Sequence, residues 1–212
     1  MSKNKNIAIL TSPNQWFVEY AKKLQSILNA KLFFDHKDIK ESFDILFILS
    51  YHKIIEKKYL KKNRHNIIIH ESNLPKGKGW APIFWQILEG KNEIVFTMFE
   101  ADKKVDSGPI YMKKTLKLDG YELNPELREK QAKHIIKMCL EFVNSYEKYK
   151  NPTPQEGEES LYPKRTPKDS KLDINKSIKE QFNLLRIVNN ENYPAFFEID
   201  GHKYILKIYK EK

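Results

Sequence analysis

Three short stretches limit most strongly how this chain folds: Ile7-Ala8-Ile9-Leu10, Asp44-Ile45-Leu46-Phe47-Ile48-Leu49 and Asn66-Ile67-Ile68-Ile69-His70. Their apolar residues run consecutively, without polar alternation, as in strands covered on both faces of a sheet. After the first, Thr11-Ser12-Pro13-Asn14 supplies turn and cap chemistry, and Phe17, Ala21, Leu24, Ile27 and Leu28 then recur at helical spacing. Lys31-Leu32-Phe33-Phe34 adds a short strand, and a short helix is expected over 54–60. Strands alternating with helices give an open, parallel sheet, in which ligands bind beyond the carboxyl ends of the strands. His70 stands at one such end.

Downstream, a polar loop over 71–79 leads into a helix over 81–88, ended by Gly90 at a C-cap position. Two more strands are expected over 93–99 and 110–116, joined by a loop carrying Asp102, Asp106 and Gly108. Pro125 heads a long helix expected to continue to Tyr149. Residues 151–166, rich in Pro, Glu and Gly, read as a connecting segment. A helix over 178–188 and a hairpin of 195–199 with 204–209 about Asp200-Gly201 complete the chain. The expected class is α/β: a Rossmann-like, mostly parallel open sheet with flanking helices over 1–150, and a small C-terminal α+β tail over 151–212 containing a β-hairpin.

The hydrophobic fraction of 40% and aromatic fraction of 12% are those of a folded protein, so the 31% of charged residues decorates a surface. The net charge of +10 raises the question of nucleic acid. The lysines are scattered, often in pairs, without a basic stripe or zinc-finger spacing, which favours a solvated surface that assists capture of an anionic ligand. The N-terminal Met1 to Asn6 and the four-residue apolar run after it are too short for a signal-peptide core or a membrane span. One cysteine, Cys139, falls in a helical pattern and is expected in the core, which excludes an intramolecular disulfide framework and a cysteine zinc site. A cytoplasmic setting and no metal are expected.

The chemistry-bearing stretch is His70-Glu71-Ser72-Asn73-Leu74-Pro75-Lys76-Gly77-Lys78-Gly79-Trp80-Ala81-Pro82, with Val105-Asp106-Ser107-Gly108-Pro109-Ile110 after it. It sets an imidazole at a strand end, a loop kept open by glycines and prolines, and a carboxylate in a second loop. A carboxylate beside an imidazole fixes its tautomer and raises its basicity, which suits proton transfer near neutral pH. Residue type alone equally allows a hydrogen-bonded structural His and a turn-forming Asp.

The stretch from His70 to Gly108 resembles the formyltransferase family that uses N10-formyltetrahydrofolate, which has a His, a Ser-Leu-Leu-Pro run, a Gly-rich bend, a Pro-headed helix and Asp-x-Gly in this order. Here these are His70, Ser72-Asn73-Leu74-Pro75, Gly77 with Gly79, Pro82 and Asp106-Ser107-Gly108, with Gly90 and Thr97 between. The resemblance implies that His70 and Asp106 lie beside the formyl group, His70 as donor or relay for the developing oxyanion and Asp106 as its orienter and acceptor of the amine proton. The family's Asn two residues before the His is Ile68 here, and Asn73 is the expected replacement for its amide. The folate is expected against Leu49, Ser50, Tyr51 and Gly108, held largely by backbone groups.

The tail from Tyr162-Pro163-Lys164-Arg165 to Pro194-Ala195-Phe196 looks like the segment of nucleotide-sugar N-formyltransferases, enzymes of cell-surface glycan precursor synthesis. An amino group on a nucleotide-linked sugar is therefore the expected acceptor. Lys76, Lys78, Trp80, Tyr162, Arg165, Arg186 and Phe196 are the expected substrate contacts, because a base stacks on aromatic rings and a pyrophosphate takes Lys or Arg donors. Alternatives are another amine, such as glycinamide ribonucleotide or an aminoacyl group, and a non-catalytic basic binding module that kept the fold. A homodimer through the tail or its neighbouring helix is an expectation.

Overall fold

The expected strand runs form one six-stranded sheet in the order β2-β1-β3-β4-β6-β7 in a computed structural model that describes residues 5–211. Met1 to Asn4 lie outside the described residues, so the reading of the extreme N-terminus is not addressed. β1 (Ile7–Leu10), β2 (Lys31–Phe33), β3 (Ile45–Ile48) and β4 (His65–His70) are mutually parallel. α1 (Val18–Leu28) crosses between β1 and β2, and the one-turn α2 (Lys57–Leu60) precedes β4. β5 (Lys78–Gly79) and α3 (Pro82–Leu88) follow in the loop region after His70. β6 (Glu93–Glu100) runs antiparallel to β4, and β7 (Ile110–Lys117) runs antiparallel to β6. The sheet is thus mostly parallel, with β6 reversed. Strand order turns back between β1 and β3, which places the crevice of an open sheet where their loops separate.

Strand alternation assigns the two faces. Ile7, Ile9, Ile45, Phe47, Ile67 and Ile69 pack on α1, α3 and the long α4 (Asn124–Asn144). Ala8, Leu10, Leu46 and Ile48 point the other way, into a smaller cluster covered by loops. Ile68 joins this second cluster, and by the same alternation His70 belongs to its face.

The long helix does not run unbroken to Tyr149. It stops at Asn144, Ser145 leaves helical geometry, and α5 (Tyr146–Tyr149) adds one turn. The break accompanies the burial of Tyr146, whose hydroxyl lies 2.8 Å from His65 Nε2. Tyr111 donates to Glu100 Oε2 at 2.5 Å and lies 2.8 Å from His65 Nδ1. Its oxygen therefore accepts from Nδ1–H, and Nε2 accepts from Tyr146, which fixes His65 as the neutral Nδ1–H tautomer.

The tail contains β8 (Leu161–Tyr162), α6 (Phe182–Ile187) and the hairpin β9 (Ala195–Ile199) with β10 (His202–Leu206). Asp200 and Gly201 both have positive φ, as a two-residue hairpin turn requires, so β10 starts two residues before the expected position. α6 is shorter than expected: Ile178 stays outside it and is exposed. α6 packs on α3 and α4, and among the described residues no helix is long and apolar enough to cross a membrane.

His36, His65 and His134 each titrate below the usual 6.5, chiefly because burial disfavours the charged ring. Below about pH 6.5 the unfolded chain binds protons that the folded one excludes, so stability rises with pH across this window. The melting temperature is expected to fall as pH is lowered from about 7 to about 5, and less steeply in His65→Gln. A flat profile in thermal unfolding would contradict the His65 assignment.

Candidate functional site

His70 ends β4 opposite Thr97 of β6. The Thr97 hydroxyl, wholly buried, donates to Ser72 O at 2.6 Å and accepts from Leu74 N at 3.3 Å, which turns the chain sharply after the histidine. Farther along the loop, Gly77 O lies 2.9 Å from His70 Nε2. A carbonyl can only accept, so Nε2 carries a proton. Asp106 Oδ2 lies 3.8 Å from the same nitrogen and accepts from Gly79 N at 2.9 Å. The imidazole and carboxylate thus meet in one place, with 9% and 10% of their side chains exposed: enough to touch a small group, too little for bulk hydration.

Two glycines make this approach possible. A Cβ on Gly79, whose φ is +99°, would collide with the carbonyl of Tyr162, and one on Gly108 would collide with that of Glu100. Backbone can come that close only where no side chain intervenes. Asp106 itself has a positive φ of 51°, which an Asp tolerates better than most residues.

The segment read as a connector is part of the site. Thr153 and Ile110 exchange backbone hydrogen bonds at 2.6 and 2.9 Å. Gln155 Nε2 then donates to Asp106 O at 3.0 Å and Gly108 O at 2.8 Å, holding the carboxylate loop by its main chain. Ser160 accepts from Gly77 N through its hydroxyl and from Lys78 N through its carbonyl, and β8 pairs in parallel with β5. Lys78, 7% exposed, adds a cross-tie: its ammonium donates to Ser107 at 2.8 Å and to Glu159 at 2.6 Å. Residues 153–162 thus form a strap across both loops. Neither Gln155 nor Ser160 was singled out by sequence reasoning, and a two-residue strand pair between 78–79 and 161–162 has no periodicity to reveal it.

The remaining expected residues divide. Asn73 is exposed, and its carboxamide oxygen accepts from Lys113 Nζ at 2.6 Å. Leu49 is core, Ser50 Oγ donates to Gln15, and the Tyr51 hydroxyl lies 2.7 Å from His36 Nδ1, which leaves this turn only its backbone to offer. Lys76 is exposed on the loop. Trp80 is 46% exposed, stacks on His52 and has Lys164 Nζ 4.9 Å above its ring. Arg165 donates to Asp169 O at 3.0 Å, and its buried Nε lacks a partner.

Tyr162 stacks on Trp85 at 6° between ring planes, and its hydroxyl donates to Glu89, so its side chain is engaged with α3 and its C-terminal end. Arg186 is 1% exposed and bonds Glu122 at 3.0 Å together with Asn92 and Asn183. Phe196 is buried in the tail beneath Lys203. The expectation that Arg186 and Phe196 touch substrate is therefore corrected: packing that ties the tail to the sheet consumes both. Burial opposes the charge on Glu122, yet Lys130 and backbone donors hold its pKa at about 2, so it stays an anion for Arg186. Cys139 is buried in the core, as expected.

A protonated imidazole nitrogen beside a carboxylate can donate to a carbonyl-type oxygen while an adjacent group takes a proton. Among the described residues no cluster of His, Cys, Asp and Glu could hold a metal ion. Residues 6–141 match the family model described as formyl transferase. A methionyl-tRNA formyltransferase from Thermodesulfovibrio yellowstonii is 31% identical over 152 residues, which cover 71% of this chain and 49% of the relative. The chain spans about half the length of such curated relatives. Of solved structures, a methionyl-tRNA formyltransferase from Clostridium thermocellum superposes with a TM-score of 0.81 at 19% identity, over 98% of this chain and 94% of that one. A sugar N-formyltransferase from a Shewanella species gives 0.66 at 14% identity over 98% of both. With the family model spanning nearly two thirds of the sequence, from β1 through most of α4, the chain belongs to the formyl transferase family.

Proposed function

We propose that this protein transfers the formyl group of N10-formyltetrahydrofolate to the amine of a nucleotide-linked amino sugar. The observation that carries the reading is the meeting of His70 and Asp106 under the strap, in a chain of this family. When bound, the folate supplies an activated formyl carbon. The residues fit such a donor: Gln155 Oε1, beside the Asp106 loop, is a buried acceptor without a partner, and Leu49 to Tyr51 and Gly108 offer backbone. His70 Nε2–H, released from Gly77 O, is the donor for the formyl oxygen as charge develops there. Asp106 orients the imidazole and accepts the amine proton. Ile68 forms an apolar wall on the same face and supplies no hydrogen bond.

The rim supports this acceptor. Trp80 offers an exposed aromatic face with Lys164 above it, and Lys76 and Arg165 lie on the same loop and tail, so a base and a pyrophosphate both find partners. The whole-chain likeness to a sugar N-formyltransferase supports this acceptor. A second reading, the aminoacyl group of a methionyl-tRNA, is favoured by the curated relatives, by the Clostridium structure and by the +10 charge. In both readings residues 1–150 carry the chemistry, 151–212 strap and orient it, and the protein works in the cytoplasm, as a homodimer through the tail.

His70→Ala and Asp106→Asn are each expected to lower kcat about a hundredfold or more without loss of fold. Wild-type turnover in both, measured as tetrahydrofolate release, would end the assignment. A panel of amino-sugar nucleotides, glycinamide ribonucleotide and methionyl-tRNA decides the acceptor: turnover with methionyl-tRNA alone refutes the sugar reading. Gln155→Leu frees the carbonyls of Asp106 and Gly108, and the resulting drift of the carboxylate is expected to reduce kcat about tenfold with the melting temperature little changed. Unchanged kcat in this variant would reduce the strap to packing.

A further inference from the structure

The reading above leaves Arg128 unexplained. This arginine projects from α4 so that its guanidinium lies 4.4 Å from the ring centroid of Trp16 and 4.4 Å from that of Phe84. One nitrogen, Nη1, donates to Gln131 Oε1 at 3.0 Å. Among the described residues Nε and Nη2 have no acceptor, no carboxylate reaches ion-pair distance, and neither nitrogen is sealed from solvent. The neighbouring anion, Glu71, is engaged elsewhere: its Oε1 accepts from Gln131 Nε2 at 2.6 Å. Arg186 sets the contrast, since every nitrogen of that buried guanidinium is bonded.

Nε and Nη2 form the side-on edge of a guanidinium, the fork that matches two oxygens of a carboxylate or phosphate. Contact with two aromatic rings restricts the guanidinium, so less order has to be imposed on binding. Burial lowers the pKa of Arg128 to about 10, which still leaves it charged at neutral pH. Its surroundings lie by the loops that leave β1, β3 and β4, on the main-core face of the sheet. Trp16 lies on the loop leaving β1, next to Gln15, which bonds Ser50 and lies 3.2 Å from His52 on the loop leaving β3. Glu71, joined to Arg128 through Gln131, directly follows His70.

We propose that Arg128, in contact with Trp16 and Phe84, is an anion subsite near the loop that follows His70, binding phosphate or carboxylate oxygens of a substrate through its Nε–Nη2 edge. Which substrate brings the anion rests on the formyl-transfer reading; binding itself does not.

The test titrates the full chain with inorganic pyrophosphate at constant ionic strength, following tryptophan fluorescence, in the wild type, Arg128→Gln and Arg128→Lys. Saturable binding is expected, weakened about tenfold or more in Arg128→Gln and less in Arg128→Lys, which keeps the charge and loses the fork. Wild-type affinity in a folded Arg128→Gln overturns the proposal. If that variant does not fold, Arg128→Lys decides: a several-fold loss supports the subsite and unchanged affinity overturns it. Turnover separates the two sources. A raised KM for the acceptor alone assigns the site to its phosphates, and a raised KM for the formyl donor alone assigns it to the glutamate carboxylates of the folate. A wild type that binds pyrophosphate through Arg128 and transfers no formyl group would refute the function and leave the subsite in place.

Discussion

The hydrogen bond from the Gly79 amide to the Asp106 carboxylate joins two loops that sequence keeps far apart, and the geometry of the site depends on it. That bond holds the carboxylate 3.8 Å from His70 Nε2, beyond direct hydrogen-bond reach in the resting state. It forms only because the backbone at Gly79 and Gly108 can approach neighbouring carbonyls where any Cβ would clash. Each loop is then held by a different part of the strap: Gln155 grips the carbonyls around Asp106, and Ser160 grips the amides around Gly77. Hydrogen bonds of this kind contribute about 1 kcal/mol each. Set in series, they define a geometry that no single one could hold.

The rest of the fold serves as the anvil for this arrangement. One face of the sheet carries the main core against α1, α3 and α4, and the thinner face leaves His70 and Ile68 near the surface. The tail is anchored by the Arg186–Glu122 pair, fully buried and hydrogen-bonded on both sides. Removing one partner of such a pair strands the other charge, at a cost of roughly 3–5 kcal/mol. An arginine so used has no donor left for a substrate, whereas Arg128 keeps two nitrogens without an acceptor among the described residues.

Much of this was legible in the residues. Uninterrupted apolar runs gave the parallel strands, because covering both faces leaves no reason for polar alternation. His70 and Asp106 could be paired because a strand end and a following loop converge at the same edge of an open sheet. Three features were not legible. The reversal of β6 depends on which neighbour it pairs with, a choice that local pattern does not encode. The strap depends on contacts between residues some eighty positions apart, made through single side chains and a two-residue strand. Arg186 misled because residue type shows only what a group can bind: it found Glu122 before any ligand.

The central claim is that His70 and Asp106 act as one unit, and a double-mutant cycle on kcat/KM for formyl transfer tests it most directly. If they do, His70→Ala/Asp106→Asn will be scarcely slower than the worse single variant, a strong departure from additivity. Effects that simply multiply in the double variant would show two independent residues and contradict the account.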